Sequence, residues 1–258
     1  MIDLLVAGGG PAGLATAIHA ARAGLATVVV ERRPGPVDKA CGEGMMPHTV
    51  AHLEKLGASP HGKAFRGITY FDDTHRARAM FRAGDGLGVR RTVLHEALSD
   101  VASDVGVRII RGAVGPVIQN AGAVRCGDLR ARYLAAADGL HSPIRRDLGL
   151  GQASRSRRRW GIRRHYRLAP WSDTVEVYWG ADAEAYVTPV ADDCVGVAVL
   201  TSRQGKFDAH LPEFPLLAAR LAGAPHDSDR AAGPLRQRVR NRTAGRVLLV
   251  GAAAGYAD

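Results

Sequence analysis

The chain begins with an apolar run, Ile2-Asp-Leu-Leu-Val-Ala7, that passes directly into Gly8-x-Gly10-x-x-Gly13, and Glu31 follows eighteen residues after Gly13. Few folds satisfy all of these at once. Gly8 permits a tight strand-to-helix turn, Gly10 leaves the backbone open to a pyrophosphate, and Gly13 lets the helix pack closely on the strand. Pro11 starts that helix, Leu14, Ala17, Ile18 and Ala21 recur at helical spacing, and Gly24 ends it. Thr27-Val-Val-Val-Glu31 reads as the second parallel strand. Phosphates would lie on the free N–H groups at the helix N-terminus, and the Glu31 carboxylate would accept hydrogen bonds from the 2′ and 3′ hydroxyls of an adenosine ribose. The stretch predicts a βαβ unit with a dinucleotide site, and by itself leaves FAD and NAD equally open.

Later residues narrow the choice. The apolar strand Arg132-Tyr-Leu-Ala-Ala leads into Asp138-Gly139-Leu-His-Ser142-Pro-Ile-Arg145, and Arg246-Val-Leu-Leu-Val-Gly251 is another such strand. With these the chain resembles the FAD-dependent family that contains aromatic-ring hydroxylases and geranylgeranyl reductases. The first glycine motif, Asp138-Gly139 and Gly251-x-Ala-x-Gly255 occur in the family's order across nearly the whole chain. Lys39-Ala-Cys41-Gly42-Glu43-Gly44-Met-Met-Pro47 is similar to the reductase branch.

The resemblance implies FAD as cofactor and NAD(P)H as electron donor. It implies that Gly8, Gly10, Ala12, Gly13 and Glu31 hold the ADP half. Cys41, Gly42 and Gly44 would pass near the flavin, with Cys41 the one candidate for a part in the chemistry. Arg91 matches an FAD-contacting arginine, Val114 a backbone contact to adenine, and Asp138 and Gly139 a motif shared with the nicotinamide cofactor; Gly251 lies on the flavin side. Tyr186 and Pro189 match a substrate-side strand of the reductase branch, without its usual aromatic content. Two departures stand out. Ala252 replaces an aspartate that bonds a ribityl hydroxyl, and the sequence stops at Asp258, where the family continues into a helix. A member truncated at its C-terminus is therefore expected. The leading expectation is NAD(P)H-dependent hydroxylation of a phenolic or polyketide-like ring; reduction of isoprenoid double bonds and a non-catalytic dinucleotide-binding relic remain beside it.

Composition excludes other classes. At 258 residues, 46% hydrophobic, the chain can bury a substantial core in one large or two modest domains. No apolar run approaches the roughly 20 residues of a membrane span. A first strand starting at Ile2 leaves no room for a secretion signal, and Cys41, Cys126 and Cys194 are too few and too scattered for a disulfide framework or a metal site. A cytoplasmic protein acting on a small aromatic or lipid-like molecule is expected, with peripheral membrane contact left open. The formal charge of +10 invites a nucleic-acid reading. However, Arg163, His165 and Arg167, like Arg236, Arg238, Arg240 and Arg242, alternate with largely apolar neighbours, as in strands with one wet basic face, and few aromatics are interleaved to stack bases. His141 and His165 read as structural, because no carboxylate or second histidine stands at a relay or metal spacing.

The expected architecture is α/β. A Rossmann-like FAD/NAD(P)-binding domain (1–64, 90–154 and 244–258) is interleaved with a smaller mixed antiparallel-sheet substrate domain (65–89 and 155–243). Strands are expected at 65–72, 76–81, 107–110, 132–137, 175–179, 195–200 and 246–250. A helix carrying Leu94, Leu98, Val101 and Val105, with Thr92 as its cap, is expected between them.

Overall fold

Apolar side chains on both faces make Ile2–Ala7 (β1) a central strand: Leu5, Val6 and Ala7 are at most 1% exposed. The computed structural model describes residues 1–72, 74–153 and 157–256. The boundary expected at 154–155 and the end at Asp258 lie outside these residues. Pro11–Arg22 (α1) crosses from β1 to Thr27–Glu31 (β2), burying Leu14, Ala17 and Ile18. It stops at Gly24, which takes a φ of 80° while its N–H donates to the Ala21 carbonyl.

Among the described residues, eight strands form the first sheet. Its main path runs Thr243–Ala244, Val247–Leu249, Leu129–Ala136, β1, β2 and Arg108–Arg111, and all pairings from Val247–Leu249 onward are parallel. Val117–Gln119 and Val124–Cys126 form an antiparallel extension. One face carries α1, Pro47–Lys55 (α2) and Arg91–Asp104 (α3) over a core of Val6, Leu14, Val29, Leu53 and Leu98; the other packs Leu5, Val28, Leu134 and Ile144.

The second sheet has seven strands in the order Arg230–Ala232, Trp160–Tyr166, Cys194–Thr201, Ala183–Ala191, Val175–Trp179, Gly67–Phe71 and Arg76–Met80. All its pairings are antiparallel except Val175–Trp179 with Gly67–Phe71. A three-stranded sheet of Gly44–Met45, Gly86–Gly88 and Lys63–Phe65 stands between the two. The α/β class with a parallel and a separate antiparallel sheet is thus as expected.

Three expectations need correction. The run at 65–72 divides at Arg66, whose N–H and C=O pair with Asp173 and Phe81, so Lys63–Phe65 joins the small sheet and Gly67–Phe71 the large one. Arg90, not Thr92, is the residue flanking α3, and Thr92 lies inside the first turn. The strand Trp160–Tyr166 has no wet basic face: Arg163 and His165 on one side and Arg164 on the other are all buried, and Arg167 beyond the strand is exposed. Three consecutive basic residues break the expected alternation, and acids from distant segments neutralise them on both faces of the strand. Arg164 pairs with Asp208 and Asp229 and lies over the Phe207 ring; Arg163 pairs with Asp38 and Asp227. Paired in this way, a buried charge no longer carries its full desolvation cost. Arg236, Arg238, Arg240 and Arg242 are exposed, as expected.

Candidate functional site

Parallel strands ending together leave a crevice at their carboxyl ends, and here the expected glycines shape it. Gly8 has a φ of 105°, and a Cβ there would meet the Ala137 carbonyl oxygen at 2.4 Å; a Cβ on Gly13 would meet the Gly8 oxygen at 1.9 Å. The α1 N-terminus can therefore seat directly on the β1 turn. The helical ladder begins with the Leu14 N–H to the Gly10 carbonyl, 2.9 Å, which leaves the N–H groups of Ala12 and Gly13 ahead of it. Gly10 faces open space, its nearest neighbour being an Arg91 guanidinium nitrogen 3.7 Å from where a Cβ would be. Glu31 closes the turn from β2: its carboxylate accepts from the Gly9 N–H at 2.8 Å and the Arg33 N–H at 2.9 Å.

Cations gather around this opening. Arg91 opens α3, and its Nε is buried without a partner. Lys39 reaches Gly139, its Nζ 3.3 Å from a Cβ built there. Burial, with the neighbouring Arg33 and Arg91, pulls the Lys39 ammonium down to about 8, against the opposing pull of Glu31. Asp138 accepts from the Ile144 N–H at 3.2 Å through one oxygen, while the other is buried without a partner. Donors, cations and two orphaned polar atoms thus surround one crevice, a donor set suited to a diphosphate flanked by hydroxyls.

The later motifs converge on the same place. Gly251 has a φ of 61° and lies so close to Ala12 that a Cβ would be 2.6 Å from the Ala12 methyl. Arg145 fixes that turn: its guanidinium donates to the carbonyls of Ala252 (3.3 Å), Ala253 (3.1 Å) and Leu140 (2.7 Å) and to Gln237 Oε1 (2.9 Å). Ala252 is half-buried and offers only a methyl where the resemblance calls for a carboxylate. Val114 follows the Arg108–Arg111 strand and packs half-buried on the far core face.

The Cys41–Gly44 loop lies against the second sheet. Thr188 Oγ1 donates to the Gly42 carbonyl at 2.8 Å, and a Cβ on Gly44 would be 3.7 Å from Thr188 and Phe65. Cys41 is half-buried, with the Glu43 N–H 3.4 Å from its Sγ. Tyr186, one residue pair away on the same strand face, donates to Glu184; burial and that carboxylate push its phenol up. The Pro189 carbonyl packs against Gly88.

For His165 the expectation from spacing, that no carboxylate stands near, does not hold. His141 is exposed, but His165 is buried between two carboxylates, with Nε2 2.7 Å from Glu43 Oε2 and Nδ1 2.8 Å from Asp227 Oδ2. No local spacing could reveal this, because the partners stand 122 and 62 residues away. Glu43 is the residue sequence reading passed over. Its one local signal is a carboxylate set between two glycines in an otherwise apolar loop. Among the described residues no cluster of His, Cys, Asp and Glu could hold a metal ion, and no helix is long and apolar enough to cross a membrane.

Residues 3–53 match the model of the FAD dependent oxidoreductase family. The chain is 32% identical over 191 residues to the menaquinone reductase of Mycobacterium tuberculosis, an alignment covering 65% of this chain and 43% of that protein. It is 31% identical over 167 residues to the digeranylgeranylglycerophospholipid reductase of Thermoplasma acidophilum, covering 57% and 42%. The chain thus spans less than half the length of the curated relatives it matches. A flavoprotein/dehydrogenase from Cytophaga hutchinsonii superposes with a TM-score of 0.88 at 18% identity, over 100% of this chain and 72% of that one, and has the same fold. The resemblance read from the sequence motifs is borne out by these matches.

Proposed function

We propose that this chain forms the cofactor and substrate core of an FAD-dependent oxidoreductase that reduces a carbon–carbon double bond in a lipid-like, polyprenyl substrate, with NAD(P)H as electron source. One observation carries the cofactor assignment. The crevice at the strand ends gathers Arg91, Lys39 and free helix N–H groups around buried polar atoms of Arg91 and Asp138 that have no partner in the protein. A dinucleotide diphosphate with its hydroxyls would complete that set.

In this reading Gly8, Gly10, Ala12 and Gly13 receive the phosphates at the α1 N-terminus, and Glu31 receives the ribose. Val114 borders the adenine and Arg91 offsets phosphate charge. Cys41, Gly42 and Gly44 flank the flavin, while Asp138, Gly139 and Gly251 border its ribityl side. FAD, when bound, supplies hydride transfer. The protein's share is placement and exclusion of water: the second sheet, through Thr188, packs on the Cys41–Gly44 loop. Reduction is favoured over ring hydroxylation by the Cys41–Gly44 motif: reductases align with the chain, but so does an aklavinone 12-hydroxylase of Streptomyces purpurascens, 30% identical over 190 residues, and the motif makes the choice between them.

A titration with FAD followed by reaction with NADPH and a polyprenyl quinone, with and without oxygen, tests this. We expect stoichiometric flavin binding and a product that gains two hydrogens in its prenyl chain and keeps them after the quinone ring is reoxidised in air, with no gain of oxygen; hydrogens lost on that reoxidation would show reduction of the quinone ring instead. A product that gains an oxygen atom would show hydroxylation instead, and absence of FAD binding would overturn both. Gly10→Val supplies the control. A Cβ there meets only the movable Arg91 tip, so the variant should remain folded, with a melting temperature close to the parent's, and fail to bind FAD.

A further inference from the structure

Behind the Cys41–Gly44 loop lies a buried ionic cluster to which the cofactor reading gives no task. Glu43 has a φ of 59°, in the left-handed region, and its side chain is 0% exposed. A non-glycine residue keeps that conformation where its surroundings over-determine it. Here the Arg91 backbone N–H donates to Oε1 at 2.8 Å, His165 Nε2 lies 2.7 Å from Oε2, and Arg163 Nε lies 3.8 Å from Oε1. On its far side His165 Nδ1 meets Asp227 Oδ2 and Arg163 Nη1, each at 2.8 Å, and Arg90 Nη2 at 3.4 Å. Arg163 continues to Asp38, which also accepts from Arg230 Nε at 2.9 Å. One carboxylate therefore joins three parts of the molecule: the cysteine loop, the first turn of α3 with its unpartnered guanidinium, and the strand Trp160–Tyr166 of the second sheet.

An ion pair buried only for stability is often replaceable by apolar residues at little cost. The strained backbone of Glu43 and its bond to the N–H of Arg91 point to placement as its task. We propose that Glu43 and His165 are positioning residues for the flavin end of the cofactor. Together they hold the Cys41–Gly44 loop and Arg91 at a fixed distance from the second sheet. This rests on the FAD reading above. The ADP half would rest on Gly8–Gly13 and Glu31, which have no hydrogen bond to the cluster, and shares with it only the Arg91 guanidinium on the phosphates, whereas the flavin end would rest on the whole Cys41–Gly44 loop; the pair should therefore matter for FAD more than for ADP.

The test is titration of FAD and of ADP, by fluorescence and calorimetry, into the parent, Glu43→Gln, His165→Gln, their double variant and Asp227→Asn, with thermal melts of each ligand-free protein. Each of the two single changes at the pair should weaken FAD about 10- to 100-fold, the scale of one hydrogen bond to a charged group, and ADP by no more than about threefold. The double variant should lose no more than the weaker-binding single, because both cut one link. Folded variants with unchanged FAD affinity would overturn the proposal, as would parallel losses for FAD and ADP, which mark a merely structural role. Should both single variants at the pair fail to fold, the half-exposed Asp227→Asn decides: a selective loss for FAD supports the proposal and no change overturns it. A parent that takes up no FAD sinks the cofactor reading as well, whereas a parent that binds FAD beside indifferent variants sinks only the positioning.

Discussion

Glu31 and Lys39 flank the same opening with opposite charges, and each gives a distinct test. Removing the Glu31 carboxylate should weaken FAD and ADP alike by roughly 1.5–3 kcal/mol, the range for hydrogen bonds to a charged group. Because the same carboxylate accepts from the N–H groups of Gly9 and Arg33, Glu31→Gln, which keeps an acceptor, should fall between Glu31→Ala and the parent in calorimetry. Lys39 gives a pH signature. Its ammonium is pulled down to about 8 by burial and by neighbouring cations, so the free protein loses this proton as the pH rises past 8. A bound diphosphate favours the charged form and would restore the proton. Affinity should then be greatest below pH 8 and fall between 8 and 10, with proton uptake on binding near pH 8.5, visible in buffers of different ionisation heat. Lys39→Met should bind more weakly and lose that dependence; an identical pH profile in the variant would remove Lys39 from the site. At this scale the sequence was legible where a residue acts through its own backbone, as Gly8 and Gly13 do at the tight turn. It was not legible for Glu43 and His165, whose partners arrive through tertiary structure.

At the scale of elements, α3 shows how a helix can be recognised and its start misplaced. Of the expected stripe Leu98 is buried and Leu94, Val101 and Val105 pack half-buried beside it, with His95 and Ala102 buried as well, yet no side chain of the helix's own segment caps it. The Glu43 carboxylate, from another element, takes the N–H of Arg91 in the first turn, where the helix dipole also favours a negative charge. Thr92→Ala should therefore cost about 0.5 kcal/mol or less in urea unfolding, below the ~1 kcal/mol typical of a lost cap. A full cap penalty would return the role to Thr92. The strand Ala183–Ala191 gives a second case. Its Thr188 hydroxyl is the direct hydrogen bond from that strand to the Gly42 carbonyl, and Thr188→Val should cost about 0.5–1.5 kcal/mol in the same assay.

Across the whole molecule the parallel half was readable because alternation, glycine turns and continuous apolar strands are local signals. The basic strand of the second sheet was misread because wetness is not local: Arg163 is 1% exposed only because Asp38, 125 residues away, and Asp227 come to meet it. Arg163→Met should strand those acids beside buried Glu43 and destabilise the protein by about 3–5 kcal/mol; an equilibrium unfolding midpoint unchanged from the parent would contradict this. The pairing of Leu129–Ala136 with Val247–Leu249 bears on a different matter, the order in which the protein can be made. Leu134 waits for Val247 across more than a hundred residues, so a chain emerging from the ribosome completes the first βαβ unit early, while the short edge at Leu134–Ala136 stays bare until residues 247–249 have been made. Contacts of such sequence separation form slowly. Nascent chains halted before residue 243 should accordingly be prone to edge-to-edge association and protease attack, whereas those that have released residues 243–256 should resist both, the Arg145 guanidinium then holding the Gly251–Ala254 turn in place.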